Sequence, residues 1–218
     1  MSARYTLVIG NKNYSSWSMR PWVWMRHHSI DFTTHRIVLR TPATRTEIAA
    51  FGCGATVPVM VDGEAKVWDS LAILEYLAEQ HPECQGWPAD SASRAHARSV
   101  CAEMHSGFMP LRSAMPMNCR RTIEDFTVSG EVAGDVDRIN RIFNDCRRRY
   151  SGGGSWLFGS YSIADAMFTP VVMRFNTYGI KLDGDAAAYL HTVSHQSSVL
   201  EWIEDSRQEK EVIESDEI

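Results

Sequence analysis

Three short segments of the chain carry residues whose types and spacing could do chemistry. The first is Tyr14-Ser15-Ser16-Trp17-Ser18-Met19-Arg20-Pro21-Trp22. A serine at a helix N-terminus sits at the positive end of the helix dipole, beside backbone N–H groups that have no intrahelical partner. Such a place stabilises an anion, and a thiolate supplied by a bound ligand suits it. Ser15 or Ser16 would donate a hydrogen bond to the sulfur and lower the thiol pKa from about 8.5 toward neutrality. The same serines also suit a plain helix cap. The second segment is Val57-Pro58. An X-Pro bond can be cis, and a cis bond at a strand entrance would turn the Val57 N–H and C=O outward, toward the backbone of a bound peptide. A trans proline at a strand entrance is the plain alternative. The third is Asp69-Ser70, which reads as a helix cap. With the serine hydroxyl and N–H facing outward, it could hold an α-amino and α-carboxylate pair.

Other combinations carry less. His191 and His195 stand four apart, as do Cys101 and His105, but neither pair has a third ligand nearby and no metal site is expected. Gly52-Cys53-Gly54 lacks the following Lys-Ser/Thr of a phosphate loop, and Cys53 is not placed at the first helix start, where a redox cysteine would belong. The five cysteines are scattered and form no CxxC pair, so neither a disulfide framework nor structural zinc is expected.

The elements that must position these residues read as follows. Tyr5–Ile9 is an apolar strand. A helix opens at Ser15 to Ser18 and runs to about His28, with Pro21 in or near its first turn. Phe32 to Leu39 is a second strand, and a short helical stretch runs from Thr41 to near Gly52. Val57 to Val61 is a third strand; Asp62-Gly63 turns it into a fourth, Ala65 to Trp68. Asp69-Ser70 caps a helix whose Leu71, Leu74 and Leu77 follow a helical period. The order β-α-β-α-β-β-α describes an α/β domain with a mixed sheet over residues 1–81. Residues 82–92 read as a linker, and residues 93–218 as all-helical. Ala97, Val100, Cys101, Met104, Phe108, Leu111 and Met115 form one apolar stripe, and Val132 to Tyr150 another. Further helices begin at Ser162 and near Ser197. The acidic tail from Glu209 to Ile218 is expected to fray.

Composition agrees with a folded chain: of 218 residues, 44% are apolar and 22% charged. The net charge of -5 argues against a nucleic-acid surface and a polybasic membrane anchor. No apolar run is long enough to span a bilayer and no secretory signal pattern opens the chain, so the cytoplasm is the expected compartment.

In this order and spacing, the three segments resemble the glutathione transferase superfamily along nearly the whole chain. SSWSMR is similar to the zeta-class serine motif SSCSWR. ATVPVMVDG resembles the superfamily's cis-proline loop, and VWDSLAILEYL its γ-glutamyl-binding segment, with Asp69 in place of Glu or Gln. GSYSIAD resembles the start of the family's sixth helix, where Ser162 and Asp165 form a capping box. The resemblance implies a thioredoxin-like N-terminal domain followed by an all-α bundle, with glutathione as co-substrate and no metal. It implies that Ser15 or Ser16 faces the sulfur, that Trp17, Val57, Pro58, Asp69 and Ser70 line the glutathione site, and that Arg40, Thr44 or Arg45 meets the glycyl carboxylate. An electrophile would lie against His105, Phe108, Arg112 and Arg174, with Met104 and Met115 nearby, and the arginines would favour an anionic one. The implied reaction is conjugation, as in detoxification. Cis–trans isomerisation of a small dicarboxylate and non-enzymatic glutathione binding are the alternatives, and Trp17 in place of the motif's cysteine counts against the isomerase. A homodimer is implied as well.

Overall fold

A computed structural model describes residues 3–52 and 54–217; Cys53, like Met1, Ser2 and Ile218, lies outside the described residues. The strands Tyr5–Ile9 (β1), Phe32–Arg36 (β2), Val59–Asp62 (β3) and Ala65–Trp68 (β4) form one mixed sheet in the order β2-β1-β3-β4. β1 runs parallel to β2 and antiparallel to β3, and β3 pairs antiparallel with β4. The apolar β1 lies inside the sheet and is almost wholly buried, whereas the polar β2 is an exposed edge. β2 ends three residues before the expected Leu39. The Ile37 N–H still reaches the Ile9 carbonyl at 2.8 Å, and the chain then turns away through Arg40, at φ 62°.

The helices Ser16–His27 (α1), Thr44–Ala49 (α2) and Ser70–Gln80 (α3) accompany the sheet, giving the expected thioredoxin-like layout. Pro21 is not in the first turn of α1 but in the second, and the helix continues past it although the Trp17 carbonyl receives no N–H there. The remaining chain is helical: Ser91–Ser106 (α4), Met109–Ala114 (α5), Gly130–Tyr150 (α6), Ile163–Thr177 (α7), Gly184–Ser194 (α8) and Ser197–Arg207 (α9). No helix among the described residues is long and apolar enough to cross a membrane.

α7 is buried along nearly its whole length and packs against α1, α4 and α8. Its start is fixed by Asp165, whose carboxylate accepts from the Ser162 N–H at 2.8 Å and the Leu157 N–H at 3.0 Å. This rigid rod carries Arg174 from the bundle toward the first residues of α1.

Two expectations fail here for physical reasons. The stripe from Ala97 to Met115 is not one helix. It breaks at Gly107-Phe108, where Phe108 takes φ 60° and a Cβ on Gly107 would lie 2.8 Å from the Glu103 carbonyl oxygen. The second piece restarts at Met109-Pro110, with the Asp135 carboxylate accepting from the Leu111 N–H at 3.0 Å. The tail does not fray either. Glu209 accepts from the Lys12 and Asn13 backbone N–H groups at 2.7 and 3.1 Å, Arg36 pairs with Glu211, and Ile213 is buried. The acidic composition that suggested solvation instead answers donors from distant parts of the chain.

Candidate active site

The N-terminus of α1 opens onto a cavity of about 500 Å³, within the range of small-molecule sites. Ser15, Ser16 and Trp17 form one wall and Val57 faces them from the loop before β3. Arg112 and Arg174 reach in from the helical bundle, and Arg40, Thr44 and Arg45 close the side toward α2. The Val57-Pro58 peptide bond is cis.

Ser15 is the N-cap residue, and its hydroxyl donates to Ser18 Oγ at 2.7 Å; Ser18 Oγ in turn accepts from the Gly10 N–H at 3.1 Å. Ser16 is differently placed. Its Oγ accepts from Arg174 Nη2 at 3.3 Å, which leaves its own proton available to a ligand. A guanidinium on the oxygen makes that proton a better donor.

Arg174 is buried and bonds only neutral acceptors: Nε donates to the Met115 carbonyl at 2.7 Å and Nη1 to the Pro170 carbonyl at 3.1 Å. Burial first, and then the neighbouring Arg112, lower its pKa to about 10. Arg112 donates to the His105 and Gly107 carbonyls, its Nη2 has no partner among the described residues, and burial pulls its pKa down as well. Neither arginine has a carboxylate within ion-pair distance among the described residues. Among the described residues the cavity lining thus holds four arginines and a single carboxylate, Asp216. Such a lining favours an anion.

Trp17 organises this wall. Two guanidiniums pack on its ring, Arg20 centred 4.2 Å and Arg112 4.3 Å from the ring centroid, and His105 meets it edge-on at 5.3 Å. Arg20 is buried, and its Nη1 donates to Ser70 Oγ at 3.2 Å, so it ties α1 to the start of α3. Burial, together with Arg112 and Arg174, lowers its pKa to about 9.

Of the residues singled out from sequence, the cavity brings together Ser15, Ser16, Trp17, Val57, Arg112 and Arg174, along with Arg40, Thr44 and Arg45. The Thr44 hydroxyl is spent on the Val38 carbonyl at 2.8 Å, which leaves Arg40 and Arg45, unpaired among the described residues, as the cations on that side. Pro58, Asp69, Ser70, His105 and Phe108 do not line the cavity. The Ser70 hydroxyl does not face outward as expected: the residue is buried and Arg20 holds it. Asp69 Oδ1 accepts from the Leu71 N–H at 2.8 Å and the Ala72 N–H at 3.3 Å, and its Oδ2 bonds His105 at 2.6 Å. His105 therefore turns to the cap of α3 rather than into the cleft. Phe108 is buried in the core at the helix break, and Met104 and Met115 are buried there too. Sequence reasoning missed Ile213 and Asp216, tail residues that line the cavity. The apolar pair Val212-Ile213 in a mostly acidic tail was the available signal.

Residues 14–80 match the family described as glutathione S-transferase, N-terminal domain. The chain is 26% identical over 178 residues to a probable maleylacetoacetate isomerase of Caenorhabditis elegans, covering 77% of this chain and 78% of the relative. A shorter match, 39% identical over 62 residues and 28% of each chain, is to a zeta-class glutathione S-transferase of Euphorbia esula. Among solved structures, a glutathione transferase homologue from Burkholderia with bound glutathione superposes with a TM-score of 0.70 at 23% identity, covering 95% of this chain and all of that one.

Proposed function

Because this chain belongs to the glutathione S-transferase superfamily, we propose that it binds glutathione in the α1 cavity and delivers the thiolate to a small electrophile. The observation that carries this reading is the shared cavity: two serine hydroxyls at a helix start, Val57 in the same lining, and, among the described residues, four arginines against one carboxylate. Glutathione brings two carboxylates and one ammonium group, and a third negative charge once its thiol ionises. The cysteinyl backbone pairs with Val57, and the glycyl carboxylate meets Arg40 or Arg45. Ser16, polarised by Arg174, donates to the sulfur, and Ser15 orders the turn through Ser18.

In conjugation the thiol proton passes to solvent and the thiolate attacks an electrophilic carbon. The C–S bond forms as the leaving group departs with its bonding pair. Binding geometry and the fixed donors supply the acceleration. The reading extends to a thioredoxin-like domain over 1–81, a linker over 82–92 and a helical domain over 93–218, in a cytoplasmic homodimer. A second reading, reversible addition of the thiolate to a cis double bond followed by rotation and loss of the thiol, is favoured by the likeness to the nematode probable maleylacetoacetate isomerase and by the Arg112–Arg174 pair.

The test is calorimetric binding of glutathione, followed by the pH titration of bound thiolate by its ultraviolet absorbance. Ser16→Ala is expected to raise the bound thiol pKa by about 1 to 2 units, and Ser15→Ala by less. Glutathione heat that is absent, or a thiol pKa untouched in both variants, removes the serines from the reaction. Stoichiometric glutathione loss during turnover separates conjugation from isomerisation.

A further inference from the structure

After α9 the chain returns along the sheet half as a strap, residues 208–217, and its side chains clamp the loop that carries Ser15. Glu209 accepts the Lys12 and Asn13 N–H groups. The Arg120 guanidinium donates to the Glu209 and Glu211 carbonyls at 2.7 and 3.0 Å and to Tyr14 Oη at 2.8 Å. Glu217 accepts from Tyr14 Oη and, at 2.9 Å, from Asn118 Nδ2. So held, the strap presents two residues to the cavity: Ile213, which is buried, and Asp216. Asp216 is fixed in a short 3-10 turn, its N–H donating to the Ile213 carbonyl at 2.8 Å and its Oδ1 accepting from Ser215 Oγ at 3.0 Å.

Asp216 differs from three of the other acids of the strap. Glu209, Glu211 and Glu217 are matched with arginines at 3.9 Å or closer. Asp216 has no ion-pair partner among the described residues, and it is the single carboxylate in a lining that otherwise carries only positive charge. Its charge acts on Arg174, the cation beside Ser16. A fixed carboxylate there offsets part of the arginine field felt by a ligand on the bundle side of the cavity, while the exposed Arg40 and Arg45 keep theirs for the other end.

We propose that Asp216 is a specificity-determining residue of this site: held in the cavity by the strap, it weakens the preference that the arginines give to electrophiles carrying a carboxylate beside the reacting carbon over neutral ones. This rests on the reading of the cavity as the glutathione site.

The experiment uses two preformed conjugates, S-dinitrophenyl-glutathione and its ring-carboxylated analogue, titrated calorimetrically into the full chain. The quantity read is the ratio of the carboxylated to the neutral Kd. Asp216→Asn is expected to lower that ratio about three- to tenfold, with the effect shrinking at high salt. Val212→Ala, at an exposed position of the same strap, is expected to keep the wild-type ratio. Ile213→Ala should weaken both conjugates alike. An unchanged or raised ratio in Asp216→Asn, with glutathione itself still binding, overturns the inference and leaves the functional reading standing. Absence of binding by glutathione and by both conjugates in the wild type overturns both.

Discussion

Asp165 shows what a single buried carboxylate does to the stability of this fold. It has no exposed surface, and although the Leu157 and Ser162 N–H groups pull the other way, burial dominates and raises its pKa from the usual 3.8 to about 6. The unfolded chain therefore ionises first as pH rises. Below about pH 4 the group is protonated in both states and native stability has its full contribution from this residue. Between pH 4 and 6 that contribution is lost, about 3 kcal/mol in all. His28 works in the opposite sense: burial lowers its pKa from 6.5 to about 4, so stability is lost as pH falls through that window. The overall pH profile blends the two, and a variant separates them. Asp165→Asn cannot titrate, so its stability relative to wild type is expected to be about 2 to 3 kcal/mol poorer at pH 4 than at pH 7. Urea unfolding at the two pH values measures this, and an equal offset at both would mean that Asp165 ionises in the native state as easily as in the unfolded one.

Helix ends decide how much of the architecture can be read before a structure exists. Asp69 caps α3 through the Leu71 and Ala72 N–H groups, at φ 74°, a region that suits glycine better than any L-residue. Asp69→Ala loses the cap and keeps the backbone strain, a cost of about 1 to 2 kcal/mol, whereas Asp69→Gly loses the cap but relieves the strain and should cost only a few tenths. If urea unfolding finds the glycine variant as unstable as the alanine one, the cap geometry is not what stabilises α3. Asp69-Ser70 and Ser162-Asp165 were legible because capping chemistry is local: side chain and N–H are two or three residues apart. The break at Phe108 was not, because Phe108, Leu111 and Met115 keep a helical spacing and all remain buried. The apolar stripe records which residues enter the core and says nothing about the left-handed residue between two helices. The outward-facing Ser70 failed for a related reason: its partner, Arg20, lies fifty residues earlier.

At the scale of the whole molecule, the serine loop belongs to neither half alone. Trp202 Nε1 donates to the Lys12 carbonyl at 2.8 Å, the Cys119 N–H to the Asn13 carbonyl at 3.2 Å, and the Arg120 N–H to Asn13 Oδ1 at 3.0 Å, while Glu209 takes the Lys12 and Asn13 N–H groups. Lys12 and Asn13 are thus held by α9, the segment after α5 and the strap. Their partners are a hundred or more residues away, and so the acidic tail looked solvated in the sequence. Glu209 is the most exacting of these ties, since its side chain is 6% exposed and its two oxygens serve two backbone donors. Glu209→Ala leaves both N–H groups without their charged acceptor and Arg36 without one of its partners. A loss of about 2 to 3 kcal/mol follows, which for a chain of this size lowers Tm by about 5 to 10 °C. Glu209→Gln, which keeps one acceptor oxygen, is expected to lose about half as much. Hydrogen exchange locates the effect: the Lys12 and Asn13 amides should lose protection in Glu209→Ala before the amides of β1 do. A variant that melts with the wild type, its loop amides still protected, would show that the sheet half holds the serine turn without help from the tail.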